Sequence, residues 1–278
     1  MRLTDTAVDD VGQGLPVVFA HGTEMTRAMF APQLDYLAER GFRAIAYDSR
    51  GRTDRWEGPY DLYDLAQDCL DLLDELEIER CVLFGMSMGG YMAMRFALRW
   101  PERLVGLGLI GGARSRPYSA EEMAARRELY DPLLESAALS EEWLEEAAEV
   151  AFSPDTRSRN PELVNDWTER WARYNPRAVY WESRAWIERD DIGPQLGRLE
   201  LPTLIVQGGD DAPLPLSEPL WVFSQLPDVT MARIPGAGHT VNLEAPDRVN
   251  RVIGDFCAQL TGPAGIGLAR CGNNGGGG

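Results

Sequence analysis

The chain has 278 residues, of which 44% are hydrophobic and 26% charged, as in an ordinary globular protein. Its formal net charge is −17, and all 27 basic residues are arginines. An acidic surface repels phosphate backbones and anionic headgroups, so we expect neither nucleic acid nor a membrane as partner. Either a coding bias against lysine or adaptation to high salt explains this composition.

Cysteine and histidine are too scattered to indicate a metal site or a disulfide framework. None of the four cysteines forms a CxxC pair, and none lies at metal-ligand spacing from either histidine. We therefore expect reduced packing thiols, no metal and no cofactor. The N-terminal MRLTD lacks the apolar core of a signal peptide, and no apolar run reaches membrane-spanning length, so the expected location is the cytoplasm.

Short apolar runs alternate with amphipathic stretches in the first 112 residues. The apolar runs predict four strands, at 16–20, 43–47, 81–84 and 104–110. The 3.6-residue spacing of apolar side chains predicts three helices, at 29–40, 62–76 and 88–100. This alternation is typical of a parallel sheet covered by helices on both faces.

The alternation stops near residue 113. Four stretches with helical spacing follow, without a convincing strand, at 120–137, 141–151, 161–174 and 176–188. Ser119 and Ser140 are candidate N-caps for the first two. The alternation then resumes with strands at 203–207 and 229–234 and helices at 216–226 and 245–260.

These patterns predict an α/β core that is interrupted by a helical insertion. The core comprises residues 1–112 and 192–261, and the insertion comprises 113–191. The glycine-rich segment 262–278 cannot pack a core, and we predict that it is disordered.

The segment 85–90 (GMSMGG) places Ser87 where a predicted strand meets a predicted helix. A GxSxG turn at such a junction needs glycines because it has no room for neighbouring side chains, and it exposes the serine hydroxyl above the sheet. The N–H of Met88 then lies at a helix N-terminus, which favours a negative oxygen. Ser87 is the predicted nucleophile.

A serine nucleophile needs a base, and that base needs an acid to orient it. His239 lies in the loop between the last predicted strand and the last helix, where it can reach the serine. His21 is the alternative base, but its position directly after the first strand favours a role in holding that loop. Asp210 and Asp211 follow the strand at 203–207, at the strand end where ligand sites cluster.

These motifs together resemble the α/β-hydrolase superfamily, including the order of serine, aspartate and histidine along the chain. The resemblance extends over about residues 14–260 and implies a doubly wound, mostly parallel α/β sheet with a helical cap inserted after the sixth strand. The HGT segment at 21–23 looks like the family's HG loop, which implies the N–H groups of Thr23 and Met88 as oxyanion donors.

Two further segments assign the other catalytic residues through this resemblance. Residues 208–215 look like the family's G-x-x-D-x-x-x-P, which selects Asp211 over Asp210, and residues 238–246 look like its GH…NLExP, which contains His239. One segment departs from the family's D-x-R-G-x-G-x-S motif. Residues 48–51 (DSRG) fit its first half, but RTDR at 52–55 replaces the G-x-S ending, so we expect a different loop shape near the cap. A serine nucleophile also argues against halide-removing and epoxide-opening relatives.

The expected function is a serine hydrolase that cleaves a small, largely apolar ester or lactone through an acyl-enzyme on Ser87. The alternatives are hydrolysis of a carbon–carbon bond in a ring-fission diketone, cofactor-free perhydrolysis or haloperoxidation, and a non-catalytic ligand-binding role. Oligomeric state leaves no signal in the sequence.

The substrate pocket is expected to be apolar. The candidate lining residues are Met25, Met29, Trp143, Trp167, Trp171, Trp181 and Trp186. Anchoring the insertion to the core is the alternative role for most of the tryptophans. Arg114 and Arg116 are expected to be solvated, with a substrate carboxylate as the alternative partner.

Overall fold

A computed structural model of the chain describes residues 7–262 and contains one seven-stranded sheet. The strands are Val8–Gly12 (β1), Pro16–Ala20 (β2), Arg43–Tyr47 (β3), Cys81–Met86 (β4), Leu104–Ile110 (β5), Thr203–Gly208 (β6) and Val229–Ile234 (β7). The predicted disordered tail beyond residue 262 and Cys271 lie outside the described residues. Cys69, Cys81 and Cys257 are buried free thiols.

The strands lie in the order β1-β3-β2-β4-β5-β6-β7, and every neighbouring pair except β1–β3 is parallel. The chain moves from β2 to β3 on one side and then to β4 on the other side of β2. A crevice therefore opens at the carboxyl ends of β2 and β4, which is where open α/β sheets bind ligands. The predicted α/β fold with a mostly parallel sheet is confirmed.

Strand β1 was not predicted, and it changes the strand count. Its sequence, VDDVG, is polar and half-exposed, and it pairs antiparallel with β3 at the sheet edge, so no apolar run reveals it. The helical insertion follows β5, the fifth described strand. The expected insertion after a sixth strand is therefore wrong, because that count came from the resemblance and not from the apolar runs of this chain.

Eleven α-helices occur within residues 7–262. They are Ala31–Ala38 (α1), Leu62–Glu75 (α2), Met88–Arg99 (α3), Ala120–Tyr130 (α4), Glu141–Ala151 (α5), Pro154–Arg159 (α6), Pro161–Trp171 (α7), Pro176–Ile187 (α8), Ser217–Gln225 (α9), Val241–Glu244 (α10) and Pro246–Thr261 (α11). Ser119 and Ser140 cap α4 and α5 through hydroxyl acceptors, as predicted. The insertion contains five helices, α4–α8, because the short polar α6 escaped prediction.

Two ion pairs with buried arginines attach the insertion to the sheet-bearing part of the chain. Arg52, in the 52–55 segment, pairs with Glu182 of α8, and both side chains are almost fully enclosed. Arg95 of α3 is fully buried and donates at 2.6 Å to Asp190 after α8, whose side chain is 48% exposed. Removing either acid leaves an uncompensated buried guanidinium. Among residues 7–262, no helix combines the length and apolar character needed to cross a bilayer.

The core packs tightly enough that one strand glycine is obligatory. A Cβ at Gly108 of β5 would lie 1.9 Å from the ring of Phe84 in β4. That ring cannot retreat, because Phe19 stacks on it at 5.2 Å and Phe256 meets it edge-on at 6.1 Å. Interiors of this density do not absorb an added methyl group without strain.

We expect Gly108→Ala to lower the free energy of unfolding by about 1–3 kcal/mol through overpacking. Gly197→Ala is the matched control, since the nearest atom to its added Cβ is 4.0 Å away. Urea denaturation of both variants measures the difference. Equal unfolding free energies for the two variants would contradict the described packing of β4 against β5.

Candidate active site

Ser87 stands at the sharp turn between β4 and α3. Its backbone φ is +49°, in a region that side chains other than glycine rarely adopt. A Cβ at Gly85 would lie 2.1 Å from the carbonyl oxygen of Gly89, and one at Gly89 would lie 2.2 Å from that of Ala20. The glycines therefore allow the helix start to press against the strand ends, and the turn lifts the Ser87 side chain above the sheet.

The side chains of Ser87, His239 and Asp211 form one hydrogen-bonded line. The Nε2 atom of His239 lies 2.9 Å from Ser87 Oγ. Its Nδ1 atom lies 3.0 and 3.1 Å from the two carboxylate oxygens of Asp211. Ser87 follows β4, Asp211 follows β6 and His239 follows β7, so parallel strands bring all three to the same edge of the sheet.

Asp211 is nearly buried, and its carboxylate is held from both sides. Gln207 donates its side-chain amide to Oδ2 at 2.8 Å, and the backbone N–H of Leu214 donates to Oδ1 at 3.0 Å. Only 12% of the His239 side chain is exposed, and this burial by itself disfavours the charged imidazolium. The adjacent Asp211 carboxylate outweighs burial, so the pKa of His239 is raised above its usual 6.5.

The loop after β2 lies directly against the serine. A Cβ at Gly22 would lie 3.1 Å from the Cβ of Ser87, which places the following residue, Thr23, beside the hydroxyl. Within the described chain, neither the N–H of Thr23 nor that of Met88 donates a hydrogen bond to a protein acceptor. Both lie next to Ser87, and the Met88 N–H is at the N-terminus of α3, where a negative oxygen is stabilised.

The two alternatives that the sequence left open occupy other positions. His21 is buried, accepts the Ser49 N–H at Nε2 and contacts the Gly22 carbonyl through Nδ1. It therefore holds its loop, as expected, and does not approach Ser87 as a base. Asp210 is exposed, and its backbone N–H donates to the carbonyl of Ala237.

A cavity of about 460 Å³ lies over Ser87 and His239. The loop after β2 supplies one wall, and α4, α5 and α8 of the insertion supply the opposite wall. Its lining residues include Thr23, Glu24, Met25, Met86, Tyr91, Tyr118, Arg126, Leu129, Tyr130, Glu146, Glu149, Val150 and Trp186. The cavity therefore combines apolar and aromatic surface with several ionisable groups.

Of the seven side chains predicted to line the pocket, Met25 and Trp186 do so. The other five do not: Met29, Trp143, Trp167, Trp171 and Trp181. Met29 packs into the core beneath the loop. Trp181 faces a separate surface cavity, because five helical positions rotate it by about 140° from Trp186.

The remaining tryptophans pack the insertion itself. Trp167 and Trp171 contact each other, and Phe152 stacks on Trp171. Trp143 meets Tyr130 edge-on, from the side facing away from the cavity. The alternative expected from the sequence was that these tryptophans anchor the insertion to the core, but these ring contacts all lie within the insertion. Aromatic composition alone does not say which face a side chain occupies.

Sequence reasoning missed one ionisable residue next to the serine. Glu24 is buried and lines the cavity directly after Thr23. Its N–H donates to Glu182 at 2.9 Å, and its carboxylate accepts the hydroxyl of Tyr130 at 2.8 Å. Burial raises its pKa to about 7. The one sequence signal that could have placed Glu24 in the site is its position directly after the HGT segment.

The expectation that Arg114 and Arg116 are solvated is wrong for Arg114, which is buried, whereas the Arg116 side chain is 43% exposed. Arg114 is buried beside Glu122 and Glu218, and Arg116 contacts Glu218 and the ring of Trp221. Neither lines the cavity. Within residues 7–262, no cluster of three or more histidine, cysteine or carboxylate side chains is arranged to hold a metal ion.

Comparison with known proteins identifies similar chains of the same length. The profile of an alpha/beta hydrolase family matches residues 17–252. RutD of Variovorax paradoxus (strain S110), provisionally named a carbamate hydrolase, is 31% identical over 263 residues, covering 90% of this chain and 94% of that protein. The 2-hydroxy-6-oxo-6-phenylhexa-2,4-dienoate hydrolase of Burkholderia cepacia is 28% identical, covering 90% of each chain.

A solved structure is similar at the level of both sequence and fold. It is a thermophilic esterase from Thermogutta terrifontis with malate bound, with a TM-score of 0.85 and 30% identity. The superposition covers 91% of this chain and 93% of the esterase.

We expect Asp211→Asn to lower the pKa of His239, because it removes the carboxylate that favours the imidazolium and leaves the burial that disfavours it. With only two histidines in the chain, NMR of histidine-labelled protein follows the ring directly during a pH titration. The wild type should titrate above pH 6.5 and the variant at lower pH. The His21 resonances monitor the fold, and an unchanged His239 titration would contradict the described contact.

Proposed function

The chain belongs to the α/β-hydrolase family, and we propose that it is a serine hydrolase that cleaves a short, mostly apolar ester or lactone. The proposal assigns Ser87 as nucleophile, His239 as base and Asp211 as the acid that orients it. The 2.9 Å contact between Ser87 Oγ and His239 Nε2 is the observation on which it rests. That contact joins a serine on a strained turn to a ring held by a carboxylate.

The reaction begins when Ser87 Oγ attacks the substrate carbonyl and His239 takes the hydroxyl proton. Negative charge then develops on the carbonyl oxygen, next to the N–H groups of Thr23 and Met88. Each such donor typically stabilises the transition state by roughly 3 kcal/mol. His239, now charged and stabilised by Asp211, gives its proton to the leaving oxygen, and an acyl-enzyme on Ser87 remains.

Water then hydrolyses the acyl-enzyme, with water as the nucleophile and Ser87 Oγ as the leaving group. His239 takes a proton from the water that attacks the acyl carbonyl, and the same two N–H groups receive the second oxyanion. Collapse of this intermediate returns the proton to Ser87 Oγ and releases the acid.

Helices α4–α8 act in this proposal as a cap over the reacting groups. They supply Tyr130, Val150 and Trp186 to the cavity wall opposite Ser87, and Tyr118 joins them from the segment before α4. A volume of about 460 Å³ suits a small molecule and excludes a polymer chain. The similar Thermogutta terrifontis esterase, at 30% identity, supports an ester as substrate.

A carbon–carbon bond hydrolase is the competing assignment, since the similar Burkholderia cepacia enzyme is named for a dienoate. The carboxylate of such a substrate needs a cationic partner in the cavity. Arg126 is the one arginine among the described lining residues, and it is engaged with the carbonyl of Glu122 and the ring of Tyr118. Three carboxyl side chains line the same cavity, namely Glu24, Glu146 and Glu149, so the charge balance favours the ester.

We expect the wild type to hydrolyse members of a panel of short aryl esters and lactones, and Ser87→Ala to lower kcat on the order of 10⁶-fold by removing the nucleophile. Ser224→Ala, on the exposed surface of α9, is the matched control and should retain full activity. Folded wild-type protein that cleaves a ring-fission diketone but no ester would contradict the assignment.

A further inference from the structure

One buried carboxyl group in the cavity takes no part in the proposed reaction. Glu24 is 8% exposed, and Tyr130 donates its hydroxyl to Glu24 Oε1 at 2.8 Å. Among the described residues, none donates a hydrogen bond to the second oxygen, Oε2. This atom is accessible from the cavity. Oε2 is therefore available to a ligand that lies beside the reacting carbonyl.

A cluster of aromatic rings begins at Tyr130, whose hydroxyl contacts this carboxyl group. Tyr130 and Trp186 both line the cavity and meet edge-on, with ring centroids 5.8 Å apart. The third ring of the group, Tyr118, already faces arginine side chains, with Arg126 at 3.8 Å and Arg189 at 4.1 Å from its centroid. A carboxylate beside aromatic rings is the arrangement by which proteins bind ammonium groups.

We propose that Glu24 determines substrate specificity and that, with Tyr130 and Trp186, it binds a positively charged nitrogen group on an otherwise apolar ester. This inference rests on the proposed hydrolase function and adds to it the chemical class of the substrate. The Glu24 carboxylate repels a substrate carboxylate in the same place, and Arg126, the one arginine among the described lining residues, is already engaged with the Glu122 carbonyl and the Tyr118 ring.

The charged groups around Glu24 determine when it is ionised. Burial and the Glu182 carboxylate disfavour its charged form, whereas the Tyr130 hydrogen bond, Arg52 and His239 favour it. The other ionisable groups that line the cavity are Tyr91, Tyr118, Arg126, Glu146 and Glu149. With a pKa of about 7, Glu24 gains its charge as the pH rises through neutrality. Preference for a cation must therefore increase with pH.

Two isosteric substrates isolate the effect of charge. The phenyl esters of 4-(trimethylammonio)butanoic acid and 5,5-dimethylhexanoic acid differ only in a quaternary nitrogen against a quaternary carbon. The readout is the ratio of kcat/KM for the cationic ester to that for the neutral ester. Effects on the reaction itself, including titration of His239, act on both esters and cancel in this ratio.

We expect the ratio for the wild type to rise with pH through about 7 and to reach on the order of tenfold. Glu24→Gln should abolish both the preference and its pH dependence. Glu39→Gln is the matched control: it removes a carboxylate that does not line the cavity, is 77% exposed and is paired with Arg40, so the ratio should change less than twofold. Tyr130→Phe removes a hydrogen bond that lowers the pKa of Glu24, so the rise should move to higher pH.

Calorimetry on Ser87→Ala protein separates failure of this inference from failure of the proposed function. Tighter binding of the cationic ester supports the specificity even if wild-type protein hydrolyses no ester or lactone of the panel, a result that would overturn the hydrolase proposal alone. Equal binding of the two esters overturns the specificity. A cation preference that persists in Glu24→Gln also overturns it.

Discussion

The site depends on one constraint: parallel strands end at the same edge of the sheet, and the chain must bring three distant side chains together there. Ser87, Asp211 and His239 follow β4, β6 and β7, and their side chains lie within hydrogen-bond distance of one another. This geometry holds only while the Ser87 backbone stays at a φ of +49°. Close packing at Gly85 and Gly89 keeps the backbone in this conformation, because the first turn of α3 lies directly against the ends of the strands.

The helical insertion is connected to two of the loops that supply functional groups. Thr240, next to His239, donates both its N–H and its hydroxyl to the carbonyl of Ala151 at the end of α5. Glu182 of α8 accepts the N–H of Glu24, directly after Thr23. The cavity walls and the reacting groups therefore form one connected structure, and a shift of the insertion alters the loops beneath it.

The ion pair at Glu182 explains why the segment 52–55 departs from the family motif. The segment 52–55 departs from the family pattern, and its first residue, Arg52, supplies the cation that neutralises Glu182. Without Arg52, a fully enclosed carboxylate lacks compensation, a situation that is strongly destabilising in proteins. The departure from the motif at Arg52 and the buried acid Glu182, 130 residues later, are thus explained by the same ion pair.

Most of the sheet could be predicted from the sequence, because buried parallel strands are continuous apolar runs with sharp ends. Four of the six predicted strands have the predicted bounds, and Ser87 and His239 could be chosen from their places after strands. Position alone left Asp210 and Asp211 open, and the family resemblance was needed to select Asp211. Strand β1 could not be found, since an exposed edge strand needs no apolar run.

The pocket could not be predicted in the same way. Helical spacing shows that Trp181 and Trp186 face different directions, but not which of them faces Ser87, because that depends on how α8 packs on the core. Glu24 was missed for a related reason. Its buried position comes from the partners Tyr130 and Glu182, which lie more than 100 residues away in the chain.

Reaction with a fluorophosphonate tests the central claim most directly, because this reagent phosphonylates only an activated serine. Mass spectrometry of the digested protein locates the adduct. The account predicts a single adduct on Ser87 in the wild type and loss of labelling in His239→Ala, where the base is absent. A folded wild-type protein that stays unlabelled, or that is labelled at a serine other than Ser87, would contradict it.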